Sequence, residues 1–257
     1  LFRCRDKRYI MRIPGEGTGE LINRRQEAEV YKIVGKEQIC DPICYISPDN
    51  GYKITEFLEN ARVCDAFNKE DVKECMHYLK QIHQKDLQVQ HEFNIFEKIE
   101  QYESFWKGEK SIYRDYEQTK QKIYELKQYI DNQEKAYTLT HIDAVPDNFL
   151  FVNDRIYLID WEYAGMQDPH VDIAMFAIYA MYDRDRIEEL IDDYFENVCP
   201  ENVRTKIYCY IAVCGLLWSN WCEYKRICGV EFGEYSLKQY RYAKEYYEIA
   251  KRRMEHE

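Results

Sequence analysis

The sequence predicts an α+β fold in which a small β-rich N-terminal lobe precedes a large, mainly helical C-terminal lobe. Short apolar runs separated by turn residues dominate the start of the chain, at residues 9–13, 43–46 and 51–57. From residue 61 onward the apolar residues recur mostly at helical spacing. The exception is residues 137–165, whose pattern indicates a strand, a polar loop and a hairpin. We place the boundary after Leu58, with residues 1–58 in the N-terminal lobe and residues 59–257 in the C-terminal lobe.

Composition and charge narrow the class of partner. The 257 residues are 46% hydrophobic and 32% charged, which is typical of a globular protein with a sizeable core. The net charge of −11 argues against nucleic acid, whose phosphates need a basic face, and is compatible with a cationic small-molecule substrate. No apolar run reaches membrane-spanning length and no signal peptide is visible, so we expect no membrane partner and a cytoplasmic location.

The cysteines predict a redox state, and the first residue predicts a truncation of the N-terminal lobe. Ten Cys are scattered without the spacing of a metal site or a disulfide framework, so we expect reduced thiols. The sequence begins with Leu and not with Met, so we expect the N-terminal lobe to be truncated here.

Residues 137–165 organise the rest of the chain. Asn153-Asp154 separates two apolar runs and predicts a hairpin. A hairpin brings its ends together, so Asn148 at its entrance and Asp160 at its exit are expected to lie close in space. An amide oxygen and a carboxylate converging from adjacent strands form a natural Mg²⁺ site, completed by phosphate oxygens and water.

Asp143 lies upstream of this hairpin on the same polar loop. Its carboxylate is available to accept a proton from a hydroxyl nucleophile or to orient that hydroxyl. Phosphoryl transfer requires this layout of a positioned nucleophile and a metal, with little covalent chemistry. The alternative interpretation is a turn-rich loop whose Asp and Asn residues merely cap the backbone.

The pattern His-x-Asp-x-x-x-x-Asn, followed by a hairpin and Ile-Asp-x-Glu, resembles the catalytic and metal-binding loops of the kinase-like phosphotransferases. That group includes the aminoglycoside phosphotransferases and the choline/ethanolamine kinases. The resemblance implies a two-lobed protein-kinase-like fold that uses ATP and Mg²⁺. It implies that Asp143 is the catalytic base and that His141 fixes the loop. Asn148 and Asp160 would hold the metal, and Glu162 would either assist a second metal or stabilise the loop.

The first predicted strand carries one basic residue, Arg12, in an apolar context. Arg-Ile-Pro-Gly followed by Leu-Ile-Asn-Arg-x-x-Glu is similar to bacterial choline kinases of the LicA type, which implies that Arg12 contacts the ATP phosphates. A helix over residues 22–35 offers Glu27 or Glu29 as the partner of Arg12, and the position relative to Ile22-Asn-Arg24 favours Glu27. In the alternative interpretation, Arg12 lies on the solvent face of an edge strand.

The third predicted strand leads into Thr55-Glu-Phe-Leu58, whose order in the chain is similar to the interlobe hinge of this fold. The resemblance implies that the backbone at Glu56 and Leu58 binds adenine. We do not assign residues 15–19 as a phosphate-binding loop, because they follow the Arg12 strand and because Glu16 and Glu20 would repel phosphate. A nucleotide-covering hairpin is expected upstream, in the truncated part of the lobe.

Helical spacing predicts a series of helices after the hinge. Asn68 is the predicted cap of the first helix, and residues 94–107 and 111–132 give two more. Such an insertion before the catalytic loop is expected in aminoglycoside and choline kinases. A buried helix is predicted over residues 173–182, just after Asp172, which the resemblance assigns to bracing the catalytic loop.

A later predicted helix carries Trp218 and Trp221, which their spacing places on one face. With Val-Glu-Phe-Gly233 and Tyr235 they resemble the choline-kinase substrate pocket, in which aromatic faces surround a trimethylammonium. A quaternary ammonium has no N–H to donate, so ring quadrupoles and shape must hold it. Tyr240 is the alternative to Tyr235, and a Trp pair in an apolar core is the alternative to a cage.

The pocket departs from the pattern of eukaryotic choline kinases, which have a second acid near the position of Tyr179. We expect Tyr179 or Tyr182 to contribute instead, and we group Tyr179 and Glu162 with the substrate-binding residues. The predicted reaction is phosphorylation of choline by ATP with Mg²⁺. Ethanolamine or aminoglycoside phosphorylation is the alternative within the fold, and an inactive nucleotide- or choline-binding module is the alternative outside it.

Overall fold

The computed structural model describes residues 1–15 and 18–256, which form two compact units. Unit 1 comprises Leu1–Phe93 and Tyr137–Asp172, and unit 2 comprises Asn94–Ala136 and Ile173–Glu257. Residues 16 and 17, at the centre of the segment that was not assigned as a phosphate loop, lie outside the described residues. The predicted lobe boundary after Leu58 stays a prediction.

Unit 1 begins with an antiparallel sheet whose strand order is β1-β2-β4-β3. Its strands are β1 (Phe2–Cys4), β2 (Lys7–Arg12), β3 (Ile43–Ile46) and β4 (Lys53–Glu56). Helix α1 (Arg24–Lys36) connects β2 to β3 and is capped by Asn23, which accepts hydrogen bonds from two backbone N–H groups of the first turn. Strand β2 pairs with β1 through Lys7–Tyr9 and with β4 through Tyr9–Arg12, so it is an inner strand, and Arg12 lies at its end opposite Lys53 of β4.

Two small antiparallel sheets complete the strands of unit 1. The first joins β5 (Arg62–Val63), β7 (Phe149–Val152) and β8 (Arg155–Leu158), and the second joins β6 (Thr138–Thr140) and β9 (Gly165–Gln167). Helix α2 (Lys69–His83) starts after its cap, Asn68, as the sequence predicts. In the β7–β8 hairpin Phe149 lies opposite Leu158, so the segments that precede β7 and follow β8 meet.

Unit 2 is helical. Its helices are α3 (Ile95–Ser104), α4 (Tyr116–Asn132), α5 (His170–Tyr179, whose first residues belong to unit 1), α6 (Arg184–Phe195), α7 (Glu201–Ile227) and α8 (Glu234–Met254). Helix α7 packs against α3, α4 and α8. A Cβ atom at Gly215 of α7 would lie 2.8 Å from the Gln239 carbonyl oxygen of α8, so glycine permits the close approach of these two helices.

One predicted helix begins later than the sequence pattern indicates. The helix expected from Ser111 begins at Tyr116. Ser111 Oγ donates to Glu223 Oε1 at 3.0 Å and accepts from the Tyr113 N–H at 3.1 Å, so it stabilises a turn ahead of the helix.

None of the helices in the described part of the chain combines the length and apolarity needed to cross a membrane. The cytoplasmic location stays a prediction.

Candidate active site

The loop between β6 and β7 carries the predicted catalytic residues on a strained backbone. Ile142 has a φ of +70°, a left-handed conformation that β-branched residues rarely adopt. The buried carboxylate of Asp172 accepts the N–H of Ile142 at 2.7 Å and the N–H of His141 at 3.0 Å. His83 Nε2 lies 3.0 Å from the same carboxylate. Asp172 therefore holds the backbone immediately before Asp143.

His141 ties this loop to the exit of the hairpin. Its Nε2 donates to the Ile159 carbonyl oxygen at 2.8 Å, and its ring centre lies 4.6 Å from that of Trp161. Burial lowers the pKa of His141, so the imidazole is neutral and carries its proton on Nε2, where the carbonyl can accept it. His141 therefore fixes the backbone next to Asp160.

Asp143 and Asn148 lie against each other. Asn148 Nδ2 donates to the Asp143 carbonyl oxygen at 2.8 Å and to Asp143 Oδ2 at 3.2 Å. The Ile159 N–H donates to the Asn148 carbonyl oxygen at 2.9 Å, so Asn148 and Asp160 flank the same end of the hairpin. The structure thus brings together the two residues that the sequence pairs as metal ligands.

The carboxyl group of Asp143 titrates near neutrality. Burial raises the pKa of Asp143 to about 7, and the negative charges of Asp160 and Glu162 act in the same direction. The hydrogen bond from Asn148 opposes the shift. A carboxylate with this pKa is matched to the exchange of a proton at physiological pH.

Two arginines and three carboxylates form an arginine–carboxylate cluster at the hairpin exit. Arg12 lies 2.5 Å from Glu27 Oε1, 3.2 Å from Asp160 Oδ1 and 3.3 Å from Glu162 Oε2. Arg24 lies 2.8 Å from Glu27 Oε2 and 3.1 Å from Glu162 Oε2. The cluster joins β2 and α1 to the segment that follows β8.

Of the two predicted partners for Arg12, Glu27 is the one in contact. Its side chain is fully buried, and a buried carboxylate requires a paired charge. Glu29 instead lies with its Oε2 3.9 Å from His91 Nδ1. Sequence reasoning missed Arg24, although its position directly after the Asn23 cap and three residues before Glu27 was a usable signal.

The oxygen atoms of this cluster fit a hard divalent cation. Carboxylate oxygens of Glu27, Asp160 and Glu162 lie within 4.8 Å of one another, and oxygen donors of this type are the ligands of Mg²⁺. The Asp160 side chain is 39% exposed and Glu162 is 20% exposed, whereas Glu27 is buried against both arginines. Asp160, with Asn148 beside it, is therefore the residue best placed to meet an incoming metal.

A cavity of about 400 Å³ opens beside Asp160 within unit 1. Its lining combines apolar side chains with charged and polar ones: Ile10, Arg12, Asp41, Lys53, Thr55, Glu56, Phe57, Leu58, Asn60, Ala61, Leu150, Ile159 and Asp160. The segment after β4 is fixed by the Phe57 N–H, which donates to the Arg8 carbonyl oxygen at 3.0 Å. Glu56 and Leu58, the predicted adenine-binding positions, thus border a cavity large enough for a small ligand.

Unit 2 contains an aromatic row that includes the predicted cage residues. The row is Trp218, Trp221, Phe232, Tyr235 and Tyr179, with successive ring centres 6.2, 5.0, 6.2 and 6.0 Å apart. Trp218 is buried, while the other four rings are half-buried. Four of the five residues in the row are therefore partly accessible, whereas the residues of a core cluster would all be buried.

The structure separates the tyrosines that the sequence left as alternatives. Tyr240 is buried, stacks on Tyr113 at 3.8 Å and donates its hydroxyl to Asp115 Oδ1 at 2.9 Å. Tyr182 is also buried, and its carbonyl oxygen accepts from the Tyr242 hydroxyl. Of the two pairs of alternatives, Tyr235 and Tyr179 are the tyrosines that belong to the aromatic row. Tyr235 contacts Phe232, and Tyr179 contacts Tyr235.

Trp221 already faces a cation in the structure. Lys225, one turn along α7, places its Nζ 5.3 Å from the Trp221 ring centre. The Trp221 Nε1 atom is buried without a hydrogen-bond partner among the described residues, so ring contacts and not a hydrogen bond hold the indole. Phe232, which joins Trp221 to Tyr235, was visible in the sequence only as part of the Glu-Phe-Gly motif.

Comparison with known proteins identifies one family. Residues 2–212 match the choline/ethanolamine kinase family. Protein LicA of Haemophilus influenzae is 25% identical over 244 residues, which cover 90% of this chain and 91% of that protein.

Solved structures give the same result. The crystal structure of choline kinase LicA from Streptococcus pneumoniae matches with a TM-score of 0.84 and 28% identity, covering 96% of this chain and 88% of that chain. A crystal structure of LicA in complex with AMP matches with a TM-score of 0.83 and 28% identity, covering 95% of this chain and 85% of that chain.

Proposed function

The chain belongs to the choline/ethanolamine kinase family, and on that basis we propose that it transfers the γ-phosphoryl group of ATP to the hydroxyl of choline. The predicted family, the α+β kinase-like fold and the kinase activity are thereby confirmed. The acceptor and the roles of individual residues are our proposal.

The aromatic row is the observation that carries the choice of choline. Its half-buried rings offer faces to a trimethylammonium, which cannot donate a hydrogen bond. Ethanolamine carries three N–H donors and would need acceptors in their place. Glu223, a buried carboxylate on the same helix as the Trp pair, already accepts from Ser111, Ile112 and Arg226. Its oxygens are committed to the protein, which favours choline.

The nucleotide would occupy the cavity beside Asp160. The family assignment and the AMP complex of LicA support nucleotide binding. In our proposal the backbone at Glu56 and Leu58 hydrogen-bonds adenine, and apolar side chains such as Ile10 and Leu150 cover its faces. Arg12 lines the same cavity and would turn from Asp160 to the phosphates. Glu27 would keep Arg12 in place, because that ion pair is the shortest of the cluster.

The chain's own residues would perform the chemistry as follows. Asp143 orients the choline hydroxyl and accepts its proton as the oxygen attacks the γ-phosphorus, and ADP leaves. Asn148 and Asp160 would hold magnesium, which supplies positive charge to the transferring phosphoryl group. His141 and Asp172 hold the backbone of the loop and are positioning residues.

Glu162 stabilises the loop in this proposal and does not bind a second metal. Both arginines contact Glu162 Oε2, and Arg24 is the nearer at 3.1 Å. Burial and Asp160 raise the pKa of Glu162, while the hydrogen bond from Arg24 and the charge of Arg12 lower it. Because Oε2 is shared by two guanidinium groups, binding a metal through it would require both contacts to break, so we assign Glu162 to the loop and Asp160, which Arg12 contacts, to the metal.

The proton-accepting role of Asp143 predicts a pH dependence. The group works as a base only when ionised, and its pKa of about 7 means that the ionised fraction falls as the pH falls through neutrality. We expect kcat/KM for choline to fall about tenfold per pH unit below this pKa. A steady-state pH profile measures this, and a kcat/KM that stays constant from about pH 8 to pH 6 would exclude the role.

The acceptor site is tested by Trp221→Leu. Leucine keeps an apolar surface but removes the ring quadrupole, so KM for choline should rise about tenfold. The KM for 3,3-dimethylbutanol, a neutral acceptor of the same shape, should change less than threefold, or about 0.6 kcal/mol. Initial rates with both acceptors at saturating ATP give the comparison.

Phe195→Leu is the matched control for this substitution. Phe195 is a half-buried aromatic residue of α6 that packs on Tyr194, and it is not part of the aromatic row. It should leave both KM values unchanged. An equal rise for choline and its neutral analogue in Trp221→Leu would show packing without cation recognition, and an unchanged choline KM would remove Trp221 from the site.

A further inference from the structure

Tyr31 of α1 is buried, and its hydroxyl contacts the segment that carries Asp160. The Trp161 N–H donates to the Tyr31 hydroxyl oxygen at 3.2 Å. Lys53 Nζ of β4 donates to the same oxygen at 2.5 Å and lies 4.3 Å from the centre of the Tyr31 ring. A phenol oxygen has two lone pairs, and these two donors use both. The position of the hydroxyl is therefore fixed from two directions.

The backbone of Asp160 has an uncommon conformation that neighbouring contacts hold in place. Its φ is +62°, in the left-handed region that residues other than glycine adopt infrequently, aspartate and asparagine more often than most. On the upstream side, the Ile159 carbonyl accepts from His141 and the Ile159 N–H donates to Asn148. On the downstream side, the Trp161 N–H donates to Tyr31. Together with the Arg24–Glu162 ion pair, this contact ties the segment after Asp160 to α1.

Lys53 links this contact to the nucleotide cavity. Lys53 and Asp41 both line the cavity, and the Lys53 side chain is buried. Burial and the Asp41 carboxylate hold the pKa of Tyr31 well above its usual range, so the hydroxyl keeps its proton and remains an acceptor for both donors. The Tyr31 hydroxyl, carried by α1, is therefore also held by Lys53 in the wall of the cavity.

We infer that Tyr31 is a positioning residue for metal binding, whose hydroxyl keeps the Asp160 carboxylate in its metal-binding orientation. The inference rests on the proposed metal role of Asp160. It does not depend on which acceptor is phosphorylated. Loss of an outer contact that orients a metal ligand commonly lowers metal affinity by about tenfold or more.

The test compares Mn²⁺ binding to the wild-type protein and to Tyr31→Phe at saturating ADP. The electron paramagnetic resonance signal of free Mn²⁺ reports how much of the metal is unbound. Mn²⁺ accepts the same oxygen ligands as Mg²⁺. We expect the Mn²⁺ Kd to rise about fivefold to tenfold in Tyr31→Phe. ADP affinity measured in EDTA should change less than about twofold, because Tyr31 itself does not line the cavity and the Lys53 ammonium, which lies over the Tyr31 ring, keeps that contact with phenylalanine.

Tyr78→Phe is the matched control. It also removes a tyrosine hydroxyl of unit 1, one that donates to the Ile39 carbonyl oxygen at 3.1 Å and makes no contact with Trp161 among the described residues. Its Mn²⁺ Kd should equal that of wild type. An unchanged Mn²⁺ Kd in Tyr31→Phe, an equal loss in Tyr78→Phe, or a parallel loss of metal-free ADP binding would overturn the inference.

The same measurement separates this inference from the proposed function. The Mn²⁺ measurement contains no phosphoryl acceptor. If the wild-type protein does not phosphorylate choline, but Tyr31→Phe still raises the Mn²⁺ Kd, only the assignment of choline as the acceptor is contradicted. A wild type that binds no Mn²⁺ with ADP would remove the metal role of Asp160, and the inference with it.

Discussion

Asp143→Asn is expected to lower kcat about 10³-fold, while the affinities for choline and ATP change less than about threefold. Asparagine keeps the shape of the side chain and can still contact Asn148, but it cannot accept the hydroxyl proton. The raised pKa of Asp143 reflects burial near Asp160 and Glu162, so removing this charge should not destabilise the fold. Single-turnover kinetics and equilibrium binding of both substrates give the two quantities.

Asp147→Asn is the matched control for this variant. Asp147 lies on the same loop and is exposed, so its charge should have little influence on the transferred proton. We expect kcat to change less than about twofold, as is usual for surface substitutions. A kcat near the wild-type value in Asp143→Asn would remove Asp143 from its role as base.

Asp160→Asn is expected to lower kcat by about 10³-fold and to raise the Mg²⁺ concentration needed for half-maximal rate. The change removes a negative charge from the proposed metal site. Asparagine tolerates the left-handed conformation that Asp160 adopts at a φ of +62°, so the backbone conformation of the loop should not change. Rates measured over a range of Mg²⁺ concentrations at saturating ATP and choline test this.

The hairpin offers a matched control in Asp154→Asn. Asp154 lies in the turn of the same hairpin and is exposed. Its Mg²⁺ dependence should follow that of wild type. If Asp160→Asn needs no more Mg²⁺ than wild type, Asp160 is not a metal ligand.

The contiguous part of the site was predictable from the sequence. His141, Asp143, Asn148 and Asp160 lie within one strand–loop–hairpin segment, and the hairpin itself brings its ends together. Local spacing was sufficient there because the geometry is set by neighbouring backbone pairing.

The contacts between segments that are distant in the sequence were harder to predict. The pairing of Arg12 with Glu27 could be expected, because the resemblance suggested a helix acid for that strand. The Trp161 N–H donates to the Tyr31 hydroxyl although the two residues are 130 positions apart in the sequence, and neither residue type predicts this hydrogen bond. The sequence carries no signal that Lys53 is buried, since burial of an ammonium depends on tertiary packing.

Side-chain competition explains the remaining differences. Ser111 had the residue type of a helix cap, but its hydroxyl bonds to Glu223, more than a hundred residues away. Tyr235 and Tyr240 both lie on α8, and the sequence pattern favoured Tyr235 with Tyr240 as the alternative. Stacking on Tyr113 places Tyr240 in the core, and this contact could not be inferred from local spacing.

The central claim is tested most directly by ADP release from Mg-ATP, with choline, ethanolamine and kanamycin as parallel acceptors. The proposal predicts turnover with choline, at a kcat/KM at least about tenfold above that for ethanolamine, since the rings favour a trimethylated ammonium. Kanamycin should give no turnover above the acceptor-free rate. Preferred turnover of ethanolamine or kanamycin, or no turnover with any of the three, would contradict the assignment of choline as the substrate.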